Sequence, residues 1–486
     1  MRPPTPAPER GALALVLHSH MPYVEGFDTW PFGEEWLWEA VACVYLPLLD
    51  VLDGAPVTLG LTPVLCDQLE AMRGEAGERF LRFLREIREP VHVEDAGGLE
   101  DGGEHELAAE VRRAAGDYRA ADERFEAVGR DLVGALGALS GPSLWTSAAT
   151  HAVLPLLATD AGRALQVASG VAAHRRRFGS FDGGFWLPEC AYEEGFERLL
   201  AAHGASAFCV DQTDALGLGS LDHLEPVATG AGPAAVPIDW ETISLVWDAA
   251  GYPAHPTYRN YHGRTIHDLK PWSNGGEPYR HEEALALARE HAVDFVDRAI
   301  ARLAAYRSER GRAGLLCCAL DTELLGHWWY EGPAWLTAVL KEAAERGLDL
   351  VTLPDGLEGF EPVERTLTAS TWGMPKDLST WDSPVVADLV WQARDAELRT
   401  VAAAGRTEDA PAAPLERAAR ELLALQASDW AFLTTRALAS DYPQRRVAGH
   451  AGGNAAALNA LAGAGPSPEP ALRGLCPDLE LSTLLA

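Results

Sequence analysis

The chain has 486 residues, with 40 Lys and Arg against 71 Asp and Glu, for a net charge of −31. Such a surface repels phosphate backbones and anionic lipid, so nucleic acid and membranes are excluded as partners and a neutral or cationic ligand is favoured. Hydrophobic residues at 47% support a sizeable core, yet no apolar run reaches the roughly 18 residues of a membrane span.

In chain order, residues 12–17 (ALALVL) predict a first buried strand rather than a signal peptide, and they run into His18-Ser19-His20. With no export signal, the expected location is the cytoplasm. The seven cysteines are odd in number and lack CxxC spacing, which reads as reduced, mostly buried thiols. Residues 57–65 (VTLGLTPVL) predict the second strand. The next segment is charged and poor in strand formers, and reads as an inserted helical subdomain. Strands resume at 143–149 (SLWTSAA), followed by His151, at 183–187 (GGFWL), followed by Pro188-Glu189, and at 206–210, which ends at Asp211. Helical patterns cover 193–203 and 282–306. The strand 314–320 (GLLCCAL) then ends in Asp321-Thr322-Glu323, and 348–352 is the last strand. Apolar strands alternating with helices imply a parallel α/β sheet covered on both faces, and seven of them suggest a closed or nearly closed barrel. From about 384 the apolar spacing becomes wholly helical, interrupted by an Ala/Pro loop at 404–414. The expected organisation is a barrel in two parts (1–66 and 141–383), a helical insertion (67–140) and a C-terminal all-helical domain (384–486).

In a parallel barrel the strand C-terminal ends carry the active face. His18, His20, His151, Glu189, Asp211, Asp321 and Glu323 all fall there. Two chemistries fit this set. Paired carboxylates suit glycosidic cleavage, where one attacks the sugar and the other protonates the leaving oxygen. His-x-His with later His and Asp also suits a metal-dependent barrel hydrolase, such as a deacetylase. The tryptophans tip the balance toward sugar. There are fifteen, and Trp186, Trp272, Trp328, Trp329, Trp372 and Trp381 crowd the candidate site. Indoles stack on the apolar faces of pyranose rings.

At these residues the chain resembles glycoside hydrolase family 57, and within it the α-1,4-glucan branching enzymes. The resemblance rests on His18-Ser19-His20-Met21-Pro22-Tyr23, Thr62-Pro63-Val64-Leu65, Phe185-Trp186-Leu187-Pro188-Glu189-Cys190-Ala191-Tyr192 and Asp321-Thr322-Glu323-Leu324-Leu325-Gly326-His327-Trp328-Trp329. Gly251-Tyr252-Pro253 with Tyr258-Arg259, Ser370-Thr371-Trp372-Gly373 and Gln426-Ala427-Ser428-Asp429-Trp430 extend it in order. It implies an incomplete (β/α)7 barrel with a helical insertion and a helical C-terminal domain. It implies Glu189 as nucleophile and Asp321 as general acid/base in a retaining mechanism on α-glucan, with no metal and no cofactor. His18, His20 and His151 would bind sugar beside the cleaved ring. Arg259, Trp272, His327, Trp328 and Trp372 would line the donor side, Trp186 would also bind substrate, and Trp430 would reach over the site.

The chain departs from the family pattern in two places. Branching enzymes of this family carry a mobile loop with a tyrosine a few dozen residues after the nucleophile, but no tyrosine lies between Tyr192 and Tyr252; Trp240 is the candidate substitute. Trp372-Gly373-Met374-Pro375-Lys376-Asp377 replaces a glycine-rich stretch. Branching is the leading expectation. A hydrolase or 4-α-glucanotransferase of the same family, the metal-dependent hydrolase and a non-catalytic glucan binder are the alternatives.

Overall fold

The computed structural model describes residues 9–406 and 413–484. Ten strands form one curled sheet: β1 (Ala12–Ser19), β2 (Thr58–Leu61), β3 (Ser143–Ser147), β4 (Gly184–Trp186), β5 (Ala207–Val210), β6 (Val227–Ala228), β7 (Ala234–Pro237), β8 (Leu315–Asp321), β9 (Asp349–Leu350) and β10 (Val363–Glu364). Seven of them, in the order β8-β1-β2-β3-β4-β5-β7, are parallel neighbours. One backbone hydrogen bond crosses the remaining seam, from the Asp239 N–H to the Cys317 carbonyl at 2.8 Å. The result is an incomplete (β/α)7 barrel. β6 runs antiparallel to β7 and carries β10 on its far side.

β1 is buried along its whole length, as the unbroken apolar run requires of a strand covered on both faces. One of its edges pairs with β8 throughout. The other edge is shared, with β9 against Ala12 and Leu13 and β2 against Val16 to Ser19. The expected strand at 348–352 is therefore a two-residue side pairing outside the ring. The seventh stave is instead β7, whose short Ala-rich run carries no strand signature. The expected strand 57–65 stops at Leu61, and a helix runs from Pro63 to Ala71. Pro63 sits in that helix's first turn, where its missing N–H costs nothing.

Between β2 and β3 the chain is helical, with Glu75–Arg82, Glu89–Asp101 and His105–Ala127 as its main pieces. At the C-terminal end, Ala387–Ala404, Ala413–Leu425, Ser428–Thr435 and Tyr442–Leu461 pack around Leu422, Leu425, Trp430, Tyr442 and Val447. Within the expected loop at 404–414, residues 407–412 lie outside the described residues. All seven cysteines are free, and six are buried. No described helix is long and apolar enough to cross a membrane.

Candidate active site

β4 ends at Trp186, and Pro188–Cys190 form a single turn in which Glu189 adopts φ 60° and ψ 20°. A left-handed backbone costs a side-chain-bearing residue about 1–2 kcal/mol, and such strain clusters at functional sites. Trp372 holds the residue at two points. Its backbone N–H donates to the Glu189 carbonyl at 2.9 Å, and its indole N–H donates to Oε2 at 3.0 Å. His151 Nδ1 stands 3.7 Å from Oε1. Burial pushes the Glu189 carboxyl up, and hydrogen bonds from Trp372 and Ser428 pull it back.

Asp321 ends β8, directly beside His18 in the β1–β8 register. Burial, then the charges of Glu323 and Glu189, hold its carboxyl well above the ordinary range. Glu323 accepts from the Tyr45 hydroxyl and from the His20 backbone N–H, and burial pushes it up to about 7.

Three imidazoles form a stack behind the carboxyl groups. His18 lies on Trp186 with ring centroids 4.6 Å apart, and its Nε2 meets His151 Nε2 at 2.9 Å. His151 in turn stacks on His20 at 4.0 Å. Burial and the neighbouring His20 hold His18 and His151 well below the usual range, so both are neutral. Burial also works against a charge on His20. Asp429, which pairs with its Nε2 at 3.0 Å, acts with the charges of Glu323 and Glu189 against burial, and the net shift is upward. Among the described residues, no group of three or more His, Cys, Asp or Glu is arranged to hold a metal ion.

A cleft of about 1650 Å³ opens over these groups, lined by Glu189, Asp321, His18, His20, His151, Arg259, His327, Trp328 and Trp372. Arg259 is fixed by Glu110 from the helical insertion and lies 3.6 Å from the Tyr330 ring centroid. Trp328 is 49% exposed and rests on Tyr261 at 4.5 Å, while His327 Nε2 lies 3.2 Å from the Tyr261 hydroxyl.

Four expected site tryptophans do not line the cleft, among them Trp329, which is buried against Tyr258 and Trp335. Trp186 is fully buried behind His18 and supports it. Trp272 lies in a small antiparallel bridge with Pro278, its carbonyl accepting from the Asn260 N–H. Trp430 is buried in the helical core, its indole N–H donating to the Ala424 carbonyl at 2.8 Å. The helix Ser428–Thr435 presents Asp429, Phe432 and Leu433 to the cleft. Residues three and four apart share one helix face, and Trp430, turned about 100° from Asp429, points off that face into the core.

Sequence reasoning missed Asp429, the role of Glu323, and Lys270, a cleft-lining amine that burial pushes down to about 8. Helical periodicity after Ser428 was a usable signal for Asp429. Nothing in the sequence marked Lys270.

Comparison with known proteins shows the family. Residues 142–366 match the pattern of glycosyl hydrolase family 57, and residues 391–475 match that of the 1,4-alpha-glucan branching enzyme C-terminal region. A 1,4-alpha-glucan branching enzyme of Thermococcus kodakarensis is 32% identical over 91% of this chain and 72% of its own length. A probable 1,4-alpha-glucan branching enzyme of Mycobacterium tuberculosis is 33% identical over 94% of this chain and 93% of its own. The crystal structure of a family 57-type branching enzyme from Pyrococcus horikoshii superposes with a TM-score of 0.89 at 30% identity, covering 98% of this chain and 97% of that one. The chain belongs to glycosyl hydrolase family 57, in its 1,4-alpha-glucan branching enzyme type.

Proposed function

We propose that this protein is a 1,4-α-glucan branching enzyme that forms α-1,6 branches with retention, with Glu189 as nucleophile and Asp321 as general acid/base. The observation that carries the reading is a pair of carboxyl groups from opposite parts of the ring, β4 and β8, lining one cleft, with the charge of Glu189 helping to raise Asp321. In the first step the Glu189 carboxylate attacks C1 of the glucan. The C1–O4 bond breaks, and Asp321 gives its proton to the departing oxygen. In the second, the ionised Asp321 takes the proton of a glucan 6-hydroxyl, which attacks C1 and frees Glu189. His18, His20 and His151 bind the ring at the cleavage point, with glycogen in the cytoplasm as the physiological setting. The catalytic barrel comprises residues 1–66 and 141–383, with 67–140 inserted and 384–486 as the helical domain.

A second outcome of the same intermediate is hydrolysis, favoured by one feature. The stretch where the family places a tyrosine-bearing lid folds here into the turn Leu221–Leu224 and the strands β6 and β7. A lid excludes water, so its replacement by compact structure raises the share of hydrolysis. The deciding experiment incubates the protein with amylose and then debranches the product. New α-1,6 points establish transfer to a 6-hydroxyl. Rising reducing ends without them establish hydrolysis. Activity unchanged by chelators supports the two-carboxylate mechanism, and loss with recovery on zinc would replace it.

A further inference from the structure

Asp211, at the end of β5, is buried and fully occupied. Its Oδ1 accepts from the Thr213 N–H at 2.8 Å, and its Oδ2 accepts from the Trp240 indole N–H at 2.6 Å and from Lys376 Nζ at 2.7 Å. Lys376 Nζ also donates to the Trp372 carbonyl at 3.1 Å and lies 3.5 Å from the centroid of the Trp240 ring. The lysine is therefore consumed by three partners, its side chain is 8% exposed, and it is not a free anion binder.

Trp240 is half-buried and lines the cleft. Its only polar atom is spent on Asp211, so the surface it presents is carbon alone. Asp211, through a hydrogen bond, and Lys376, through its ammonium over the ring, both hold the indole in place. An aromatic ring held in this way loses little conformational freedom when a ligand stacks on it. Asp214 and Ser244 also line the cleft, and their oxygens suit hydroxyl groups at the rim of an apolar platform.

We infer that Trp240, clamped by Asp211 and Lys376, is a stacking platform for a glucan chain in the cleft. This rests on the α-glucan reading above and adds a subsite on the element that follows β7. The same lysine joins the platform to the Trp372 turn, and hence to Glu189.

The test uses the full-length Glu189→Gln protein, which binds without turnover, titrated with maltoheptaose in a calorimeter. Trp240→Ala in that background weakens binding about three- to tenfold, and Trp240→Leu, which keeps apolar bulk without a ring, does the same. Trp240→Phe keeps a stacking face and stays within about twofold of the parent. Binding by Trp240→Ala and Trp240→Leu equal to the parent overturns the inference. So does a loss in Trp240→Phe as large as in Trp240→Ala, because the tryptophan would then be only a structural lock. Failure of the parent to bind maltoheptaose at all overturns the glucan reading itself, and the platform with it.

Discussion

Trp372 grips Glu189 twice, with a backbone N–H on the carbonyl at 2.9 Å and an indole N–H on Oε2 at 3.0 Å. One residue thereby fixes both the left-handed turn and the orientation of the attacking oxygen. The indole N–H also favours the ionised carboxyl against the burial that raises it. Trp372→Phe removes that donor and trims the ring that lines the cleft. A hydrogen bond to a charged group contributes about 1.5–3 kcal/mol, so kcat/KM falls about 10- to 100-fold. Glu189 then ionises at higher pH, and the acidic limb of the pH–rate profile moves upward. A profile that keeps its acidic limb would remove Trp372 from this role.

Asp321 must carry a proton to begin the reaction. After burial, the charge of Glu323 is the largest influence holding that proton. Glu323→Gln leaves the Tyr45 contact in place but removes the charge. The Asp321 proton is then released at lower pH, and the basic limb of kcat/KM shifts downward. The pH profiles of the two proteins, measured on one maltooligosaccharide, give the comparison.

The same burial sets a stability cost. Folded Asp321 keeps a proton that the unfolded chain has already released, so its contribution falls as pH rises from the ordinary carboxylate range through the raised folded value. Asp321→Asn stays neutral throughout. At pH 7 it melts at a higher temperature than the native protein while turnover drops about 100- to 10,000-fold. At low pH, where both carboxyls are protonated, the difference disappears. Scanning calorimetry at two pH values separates these cases.

Asp429 and Trp430 are neighbours with opposite tasks. Asp429→Asn withdraws the carboxylate whose charge and hydrogen bond raise the His20 imidazole, so glucan turnover falls while the melting temperature barely moves. Trp430→Phe leaves a void and breaks the bond to the Ala424 carbonyl, which costs about 1–3 kcal/mol of stability. Its maltoheptaose affinity is unchanged. The reverse pattern would return Trp430 to the glucan site.

The legible parts of the sequence were those where one physical signal acted alone. β1 and β8 are unbroken apolar runs ending in titratable groups, so both the strands and the rim residues His18 and Asp321 could be read directly. Glu189 follows a three-residue strand, but Pro188 marks the turn that exposes it. β7 is Ala-rich and four residues long, and its strand state comes from pairing with β5 and β6 rather than from propensity. The run at 348–352 has strand propensity, but only two of its residues find an edge on β1. The tryptophans show the limit of residue type as a guide. Trp328 and Trp372 face the cleft, whereas Trp186 and Trp430 are core, and only tertiary placement distinguishes them. The Asp211–Trp240–Lys376 clamp joins residues up to 165 positions apart, beyond the reach of any local pattern.

Trapping the glycosyl-enzyme tests the central claim most directly. Asp321→Asn supplied with α-maltosyl fluoride, whose leaving group needs no protonation, forms the covalent intermediate but discharges it slowly. Intact mass spectrometry is expected to show one added maltosyl group, and peptide mapping to place it on Glu189. An adduct on Glu323 or any other residue, or steady turnover of the fluoride with no adduct in either the variant or its Glu189→Gln counterpart, would contradict the assignment.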